Sequence, residues 1–408
     1  MGVPGSLSSA ETVRPVSGSC REILPAAGFI CRQEMAEGKT EGIMMKSIME
    51  HGNCSGCGAC SYICPHGAVT MAADDEGFAI PVIAEEQCTD CGACRDICPA
   101  AHAEDLKERT EPFFYAAKHT DGDVLFRSTS GGAFTGLSDA VLAENGVVYG
   151  VVFDDNLDVC HARTETAAGR DAMRFSKYVQ SRLEKDIYEK IKADLDGGRL
   201  VMFTGTPCQT AAVRSVFGRP ENLILVDLVC FGAPGPRSWT DYKKTLEEEQ
   251  GSPLIFASFR SKEKGWFRGQ YQVYYKVAGK EERLEDTRFF EMFFRKRYLL
   301  RPSCYSCPYT DRHRTADLTI ADYWGIEKFS EEWCDRRGVS LILVSTQAGE
   351  TLLKRSRNLL FEQRDPQEAL SQQKKLSAPA EEPADREQFW NVYRKYGFAE
   401  AAREFEDH

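Results

Sequence analysis

The stretch Cys54-Ser-Gly-Cys57-Gly-Ala-Cys60-Ser-Tyr-Ile-Cys64-Pro65 decides the N-terminal part of the fold, because it places four cysteines at a fixed and uncommon spacing. The stretch Cys88-Thr-Asp-Cys91-Gly-Ala-Cys94-Arg-Asp-Ile-Cys98-Pro99 repeats it, with every cysteine shifted by 34 positions. The shared pattern, C-x2-C-x2-C-x3-C-P, is a ligand pattern of 4Fe–4S clusters. The repeat therefore predicts two such clusters within about 45 residues of chain.

The spacing also predicts which cysteines share a cluster. In bacterial two-cluster ferredoxins, the fourth cysteine of each run ligates the other cluster. One cluster is expected on Cys54, Cys57, Cys60 and Cys98, and the other on Cys64, Cys88, Cys91 and Cys94. Zinc is the alternative, but zinc sites favour two CxxC pairs or cysteine with histidine. The segments 68–71 and 78–82 are predicted as the short strands of this module.

The composition excludes several classes of protein. The chain has 408 residues, 16 of them cysteine, a net charge of −11 and 11% aromatic residues. This size makes disulfides unnecessary for stability, and the aromatic content argues against general disorder. The acidic balance argues against a nucleic-acid partner, and no apolar run is long enough for a membrane span. We expect a cytoplasmic protein. Residues 1–44 are expected to be a disordered tail without a signal peptide, in which Cys20 and Cys31 have no ligand partners.

A mixed α/β body follows a charged linker. Apolar or alternating runs predict strands, and helical spacing or composition predicts helices. The predicted strands are 147–154, 200–204, 223–229, 270–277, 318–320 and 339–345. The predicted helices are 133–144, 181–196, 207–216, 349–357 and, as a surface helix docking on the body, 385–396. Because these elements interleave without a strict βαβ rhythm, we expect a mixed sheet covered by helices.

Four further cysteines stand in non-random surroundings. Cys208 and Cys230 each follow a predicted strand, and Cys304-x2-Cys307-Pro308 forms a CxxC pair. Four thiolates are enough for a third 4Fe–4S cluster. A four-cysteine zinc site, or buried inert cysteines beside a redox-active CxxC, are the alternatives that the spacing leaves open. Cys160 and Cys334 have no assigned role.

Three other segments are candidates for binding an anionic or aromatic cofactor. Residues 127–132, Arg-Ser-Thr-Ser-Gly-Gly, precede a predicted helix and suit either a phosphate-binding turn or an ordinary N-cap loop. Residues 176–180 combine a cation, an aromatic ring and an amide, and residues 322–325 end a predicted strand with Tyr323 and Trp324. Basic residues around the CxxC suit either an anionic ligand or a salt-bridged surface. They are Arg295, Lys296, Arg297, Arg301, Arg312 and Arg314. No GxGxxG fingerprint and no nucleophile–base pair is evident.

Taken in order, these motifs resemble the coenzyme F420 hydrogenase/dehydrogenase beta-subunit family, in its bacterial form with a fused N-terminal ferredoxin. The motifs are the double cysteine run, Ser130-Gly131-Gly132, Ser176-Lys177-Tyr178-Val179-Gln180-Ser181, Gly205-Thr206-Pro207-Cys208-Gln209, Asp227-Leu228-Val229-Cys230, Arg301-Pro302-Ser303-Cys304 and Asp322-Tyr323-Trp324-Gly325. The likeness extends from about residue 53 to residue 350. Many bacterial relatives have histidine where this chain has Phe231.

The resemblance implies an α+β architecture in which the ferredoxin module, 45–108, precedes a mixed-sheet flavin and iron–sulfur body. The body divides into N-terminal-like (112–196) and C-terminal-like (197–362) domains of the family, followed by a polar helical tail (363–408). The resemblance favours a third cluster on the four body cysteines. It also favours FAD. The candidate FAD contacts are Ser128, Ser130, Gly131, Gly132, Lys177, Tyr178, Gln180, Thr204, Gly205 and Thr206.

The implied function is an iron–sulfur flavoprotein oxidoreductase. It would transfer electrons between 4Fe–4S clusters and a small two-electron carrier, similar to coenzyme F420, through FAD. The expected partner is a redox protein such as a ferredoxin or another oxidoreductase subunit. The alternative is an electron-transfer subunit without a substrate site of its own.

Overall fold

Two short helices and one hairpin build the N-terminal module around the cysteine repeat. Helices α1 (Ala59–Ile63) and α2 (Ala93–Asp96) each begin after a glycine in the left-handed region, Gly58 and Gly92, as the tight loops of the repeat require. Strands β1 (Val69–Ala73) and β2 (Ala79–Ile83) pair antiparallel, with Val69 opposite Ile83. Helix α3 (Ala103–Leu106) leads out of the module. Both strands begin one residue after their predicted starts.

The structure is a computed structural model and describes residues 53–406. The predicted tail at 1–44, with Cys20 and Cys31, lies outside the described residues. Within the described part, no helix is both long and apolar enough to cross a membrane.

An eight-stranded mixed sheet forms the centre of the body. Its strands are β3 Phe113–His119, β4 Val147–Phe153, β5 Val159–Thr164, β6 Val201–Thr204, β7 Leu223–Leu228, β10 Leu318–Asp322, β11 Ser340–Val344 and β12 Leu359–Arg364. They stand in the order β12-β3-β11-β10-β7-β6-β4-β5. Four neighbouring strands, β10, β7, β6 and β4, run parallel, and the outer strands pair antiparallel. The expected mixed sheet is thereby confirmed.

Helices cover both faces of this sheet. Their bounds are α4 Gly122–Phe126, α5 Ala133–Ala143, α6 Ala167–Ala172, α7 Lys185–Asp196, α8 Pro207–Phe217, α9 Pro236–Gln250, α10 Arg288–Phe290, α11 Gln347–Arg355, α12 Pro366–Leu370, α13 Arg386–Tyr396 and α14 Phe398–Phe405. A π-helical turn covers Glu291–Arg295, and 3-10 turns cover Pro302–Cys304, Ile326–Lys328 and Lys374–Leu376. Helix α8 begins with a reciprocal capping box between Thr206 and Gln209 and has proline at its first position.

A second, smaller sheet packs beside the first. Strands β8 (Leu254–Ser261) and β9 (Gln272–Val277) pair antiparallel and bury Val273, Tyr275 and Val277 on one face. Together with α9 and the C-terminal helices they enclose a core rich in aromatic rings. The predicted surface helix at 385–396 does dock on the body here, and it buries Trp390 and Tyr393. The polar stretch from 363 therefore ends in helices that complete this core.

The structure differs from the prediction at the start of one helix and in elements that the prediction lacks. The helix predicted from residue 181 begins at Lys185, because residues 181–184 run extended beside β5. The backbone of Arg182 forms an isolated β-bridge with Cys160 of that strand. Strands β3, β5, β8 and β12 are absent from the prediction. Strands β3 and β12 form by pairing with strands that are distant in the sequence. Strands β5 and β8 instead pair with their sequence neighbours β4 and β9.

The parallel strands place their carboxyl ends at one edge of the large sheet. Strand β6 ends at Thr204, β7 at Leu228 and β10 at Asp322. Loops that follow parallel strands meet at such an edge, which is where ligands bind in open α/β sheets. The body cysteines and the candidate cofactor segments therefore meet there.

Candidate metal centres and the adjoining cavity

Four cysteines of the repeat surround a small cavity of about 30 Å³. They are Cys54, Cys57, Cys60 and Cys98, and they are called the first set here. Burial raises the pKa of the Cys57 thiol to about 12, and Cys54 and Cys98 add to the increase. The fourth cysteine of the second run thus lies with three cysteines of the first, as the crossed arrangement predicts. The thiols must lose their protons to bind iron. Iron binding therefore has to offset the free-energy cost of forming buried thiolates.

The other four cysteines of the repeat form the second set, Cys64, Cys88, Cys91 and Cys94. Burial raises the pKa of Cys94, and the thiols of Cys64 and Cys88 raise it further, so these three lie together. At Cys64, burial also acts to raise the pKa, but backbone N–H groups of residues 66–69 outweigh it and lower the pKa. Cys91 is exposed. The second set is therefore the one near solvent.

The body cysteines Cys208, Cys230, Cys304 and Cys307 also come together and form the third set. Burial raises the pKa of Cys304 to about 12 and that of Cys307 to about 11, and Cys208 adds to both increases. Burial likewise raises the pKa of Cys230, with contributions from the other three thiols. Cys208 lies in the first turn of α8, and Cys230 follows β7. Residues from three loops, spread over about 100 positions, thus form one group.

The cavity in the first set suits a cluster better than a single metal ion. Among residues 53–406, no three His, Cys, Asp or Glu side chains are arranged to hold one metal ion. A zinc ion would need its sulfurs at about 2.3 Å from one point. The first set instead surrounds a cavity, which is what a multi-iron group requires. The donor chemistry, four thiols for each group, fits a 4Fe–4S cluster.

The first and third sets are neighbours. The thiol of Cys208 contributes to the raised pKa of Cys57, after burial and the nearer thiols. Tyr188 of α7 donates a hydrogen bond of 2.8 Å to the carbonyl of Cys57. Burial raises the pKa of Tyr188, and both Cys57 and Cys208 contribute to the increase. The ferredoxin module and the body therefore meet through their cysteine sets.

A large cavity of about 720 Å³ lies at the carboxyl ends of the parallel strands. Most of the predicted cofactor contacts line it: Ser128, Ser130, Gly132, Lys177, Tyr178, Thr204, Gly205 and Thr206. Cys230 of the third set also lines it, and so does its neighbour Phe231. A cavity of this size suits a cofactor or a drug-sized ligand.

Two predicted contacts lie elsewhere. Gln180 turns away from the cavity, and its amide donates to the carbonyl of Ser55 at 2.7 Å and accepts from Arg301 at 3.1 Å. Gly131 packs against the sheet, where its N–H donates to the Ser340 hydroxyl at 2.9 Å. Both residues therefore support the site from outside, Gln180 by joining the ferredoxin module to the body and Gly131 by fixing the loop 128–132.

The N-terminus of α5 faces the cavity without a side-chain cap. Gly132 is its N-cap residue, in the left-handed region, and no side chain caps the helix. Ser128 and Ser130 instead donate to the carbonyls of Val124 and Val339. In the first turn, the buried hydroxyl of Thr135 has no hydrogen-bond partner. Of the two interpretations of this loop, the geometry favours an anion site, because free N–H groups and an unpartnered hydroxyl remain at the positive end of the helix.

Lys177 lines the cavity but directs its ammonium group to backbone. Its Nζ donates to the carbonyl of Arg174 at 2.6 Å and lies 5.7 Å from the Phe153 ring centre. Burial lowers the pKa of Lys177 to about 7. Lys177 therefore fixes the segment 173–178 at the cavity wall.

Sequence reasoning missed Arg260, which also lines the cavity. Arg260 of β8 is buried, pairs with Asp322 and leaves Nε and one Nη without a partner. Its guanidinium lies 4.8 Å from the ring centre of Tyr271 and 5.2 Å from that of Trp324. Trp324 belongs to the candidate segment 322–325, which was the available signal. Nothing in the sequence near residue 260 indicates a binding site, because its partners Asp322 and Trp324 lie about 60 positions away.

The basic residues around the CxxC are mostly salt-bridged. Arg295 pairs with Glu291 and Arg297 with Glu381, while Arg312 pairs with Glu111. Arg314 pairs with Asp227 in the interior. For these four arginines the salt-bridge alternative therefore holds, and Arg301 forms a separate case.

Comparisons with known proteins match both parts of the chain. Residues 198–368 match the family model that describes the C terminus of the beta subunit of coenzyme F420 hydrogenase/dehydrogenase. Residues 53–102 match a 4Fe-4S dicluster domain. Among solved structures, a chain from the F420-reducing NiFe hydrogenase complex of Methanosarcina barkeri aligns with a TM-score of 0.42 and 18% identity, over 73% of this chain and 91% of that chain. A search of curated proteins finds no match.

Proposed function

Because residues 198–368 match the model of the C terminus of the coenzyme F420 hydrogenase/dehydrogenase beta subunit and residues 53–102 match a 4Fe-4S dicluster domain, we propose that the chain is an iron–sulfur flavoprotein oxidoreductase of that family. In this proposal it moves electrons between 4Fe–4S clusters and a two-electron carrier similar to coenzyme F420. One observation carries the proposal: Cys230 belongs to the third cysteine set and also lines the large cavity. Cofactor and metal would therefore be neighbours.

Bound FAD would exchange electron pairs with the carrier and single electrons with the clusters. The chain's own residues have to bind, orient and shield these groups. No general acid or base is needed for hydride transfer. The cavity residues that directly follow Cys230, which are Phe231, Gly232 and Ala233, are aromatic or small.

The N-terminal turn of α5 would bind the diphosphate of FAD. Its free N–H groups and the positive end of the helix attract a phosphate. The unpartnered hydroxyl of Thr135 would gain an acceptor there. Lys262 stabilises the loop 128–132, because its Nζ donates to the carbonyl of Ser130 at 2.8 Å.

The cavity wall around Arg260 would hold a flavin ring or the ring of the carrier. Arg260 offers two unpartnered nitrogens beside the rings of Tyr271 and Trp324. A guanidinium in that position stabilises negative charge on a reduced ring, since charge beside the ring tunes its electronics. Tyr271, Phe290 and Phe294 line the same region and would exclude water.

The third set would hold a third 4Fe–4S cluster between the cavity and the first set. Its support is the mutual proximity of its four thiols and the closeness of Cys208 to Cys57. The second set, with exposed Cys91, would then face a redox partner protein, a ferredoxin or another subunit. We also infer a cytoplasmic location, because a reducing compartment keeps cysteine thiols available as cluster ligands.

Cofactor analysis of the anaerobically purified chain tests the proposal. We expect about twelve irons per chain, for three clusters, together with one FAD. Cys230→Ser should lower the iron to about eight, whereas the control Cys160→Ser should leave it at the wild-type value. About eight irons without flavin in the wild type would contradict the proposal and leave an electron-transfer subunit with only the dicluster domain.

A further inference from the structure

Arg301 lies buried between the ferredoxin module and the body, with 3% of its surface exposed. Its Nη1 donates to the carbonyl of Cys54 at 2.6 Å and its Nη2 to the carbonyl of Ala79 at 2.6 Å. Its Nε donates to the Gln180 side chain at 3.1 Å. The guanidinium also lies 4.9 Å from the centre of the Phe78 ring. All of these partners are neutral.

This lack of a carboxylate distinguishes Arg301 from the other buried arginines of the described chain. Each of the others has an acidic partner within the ion-pair distance. The pairs are Arg170–Asp139, Arg214–Asp317, Arg260–Asp322, Arg314–Asp227 and Arg386–Glu76. A buried charge without a counter-charge is strongly unfavourable. The counter-charge of Arg301 must therefore come from another group.

The groups near Arg301 that can become anionic are cysteine thiols, which lose their protons when they bind iron. Burial raises the pKa of Cys304 to about 12, and the charge of Arg301 acts against this increase. Burial also raises the pKa of Cys208, and Arg301 opposes that increase too. Arg301 also contacts Cys54 of the first set, because its guanidinium donates to the Cys54 carbonyl. The guanidinium thus stands where the first and third sets meet.

The backbone of Arg301 is fixed to the same two loops of the third set. Its N–H donates to the carbonyl of Ala233, three residues after Cys230, at 3.1 Å. Its carbonyl accepts from the N–H of Cys304 at 2.8 Å. A Cβ on Gly56, between Cys54 and Cys57, would lie 2.5 Å from the Arg301 guanidinium, so the glycine leaves room for the guanidinium at this position.

We propose that Arg301 is a positioning residue that supplies the counter-charge of the clusters bound by the first and third sets, and so raises their reduction potentials. For the third set, the proposal rests on the function proposed above. Reduction adds a negative charge to a cluster, and a fixed cation in a low-dielectric interior favours the more negative state. No carboxylate competes for the cation, so its full charge acts on the clusters.

Redox titrations of the anaerobic holoprotein, followed by EPR, test this role. Arg301→Gln should lower the equilibrium constant for reduction of at least one cluster by a factor of ten or more. This corresponds to a reduction potential that is more negative by about 59 mV or more. Arg301→Lys keeps the charge and should retain most of the potential. The control Arg394→Gln removes a contact between module and body, Arg394–Asp75, that involves no cysteine, and should leave all potentials unchanged.

A second variant covers the case in which Arg301→Gln loses iron. Gln180→Glu places a carboxylate at the 3.1 Å contact with Arg301 and neutralises the cation without removing it. It should lower the same potential as Arg301→Gln. If Arg301→Gln or Gln180→Glu retained full iron content and also kept the wild-type reduction potentials, the proposal would be overturned. About eight irons in the wild type would instead refute the third cluster alone, because the effect on the first set would still be measured.

Discussion

The hydroxyl of Tyr309 donates a hydrogen bond of 2.9 Å to the carbonyl of Pro99. Pro99 directly follows Cys98 of the first set, and Tyr309 lies two residues after Cys307 of the third. Burial raises the pKa of Tyr309, and thiols of both sets raise it further, so the phenol stays protonated as a donor. One hydrogen bond therefore joins the two cysteine loops.

Tyr309→Phe should lower the free energy of unfolding by about 1–2 kcal/mol, because the buried carbonyl of Pro99 loses its donor while the ring stays in place. Anaerobic urea unfolding followed by circular dichroism measures the change. The control is Tyr396→Phe, at a tyrosine that is 59% exposed, and it should be neutral. Equal stability of both variants would show that the bond joining the loops contributes nothing.

Crossed ligation can be tested by counting iron in double variants of the repeat. Cys54 and Cys98 lie in the same set, so Cys54→Ala with Cys98→Ala should remove one cluster, about four irons. Cys88→Ala with Cys98→Ala affects both sets and should remove about eight irons. If each run held its own cluster, the two results would be exchanged.

Gly131 is a position where added volume meets backbone. A Cβ there would lie 2.4 Å from the carbonyl oxygen of Ala117 and 2.4 Å from the nitrogen of Ser340, on β3 and β11. Backbone atoms in a sheet cannot rotate away, so Gly131→Ala should cost about 1–3 kcal/mol and weaken FAD retention through the loop 128–132.

Thermal unfolding and flavin content of the purified protein measure both effects. Gly122→Ala is the matched control, because the nearest atom to its Cβ would be the end of the Arg337 side chain at 3.8 Å. It should change neither quantity. An alanine at 131 with normal stability and normal flavin would exclude a tight fit of the loop against the sheet.

Local patterns predicted the parts of the fold that depend on neighbouring residues. The cysteine repeat predicted the module and its hairpin, and helical spacing predicted α5 and α8 to within one residue at each end. Strand β12 was missed because it is an exposed edge strand, with only Leu359 buried. It becomes a strand by pairing with β3, about 240 positions earlier.

In the candidate site too, sequence motifs predicted what depends on neighbouring residues but not what depends on distant ones. Motifs identified the loop 127–132 before α5 and the cysteines of the three sets. They could not distinguish Gln180, which contacts Arg301 and Ser55, from Lys177, which lines the cavity. They also gave no sign that Arg301 is the buried arginine without a carboxylate, since that depends on which distant side chains surround it.

His161 should make the stability of the protein depend on pH. Its ring stacks on Phe203 with centroids 5.0 Å apart, and its nitrogens lie 3.1 Å from the Thr204 carbonyl and 3.1 Å from the Ser181 hydroxyl. Burial lowers the pKa of His161 from 6.5 to about 4. Below pH 6.5 the unfolded chain therefore binds a proton that the folded chain does not bind until about pH 4, and stability falls as the pH falls through this window.

Between about pH 7.5 and about pH 5 this single group should remove about 2 kcal/mol from the free energy of unfolding. His161→Gln keeps a donor for Thr204 but binds no proton, so its stability should fall by that much less over the same range. Anaerobic urea titrations at several pH values measure the slopes. His66→Gln, at an exposed position, is the control and should keep the wild-type slope. If His161→Gln also kept it, the buried imidazole would not be the group that couples folding to protons.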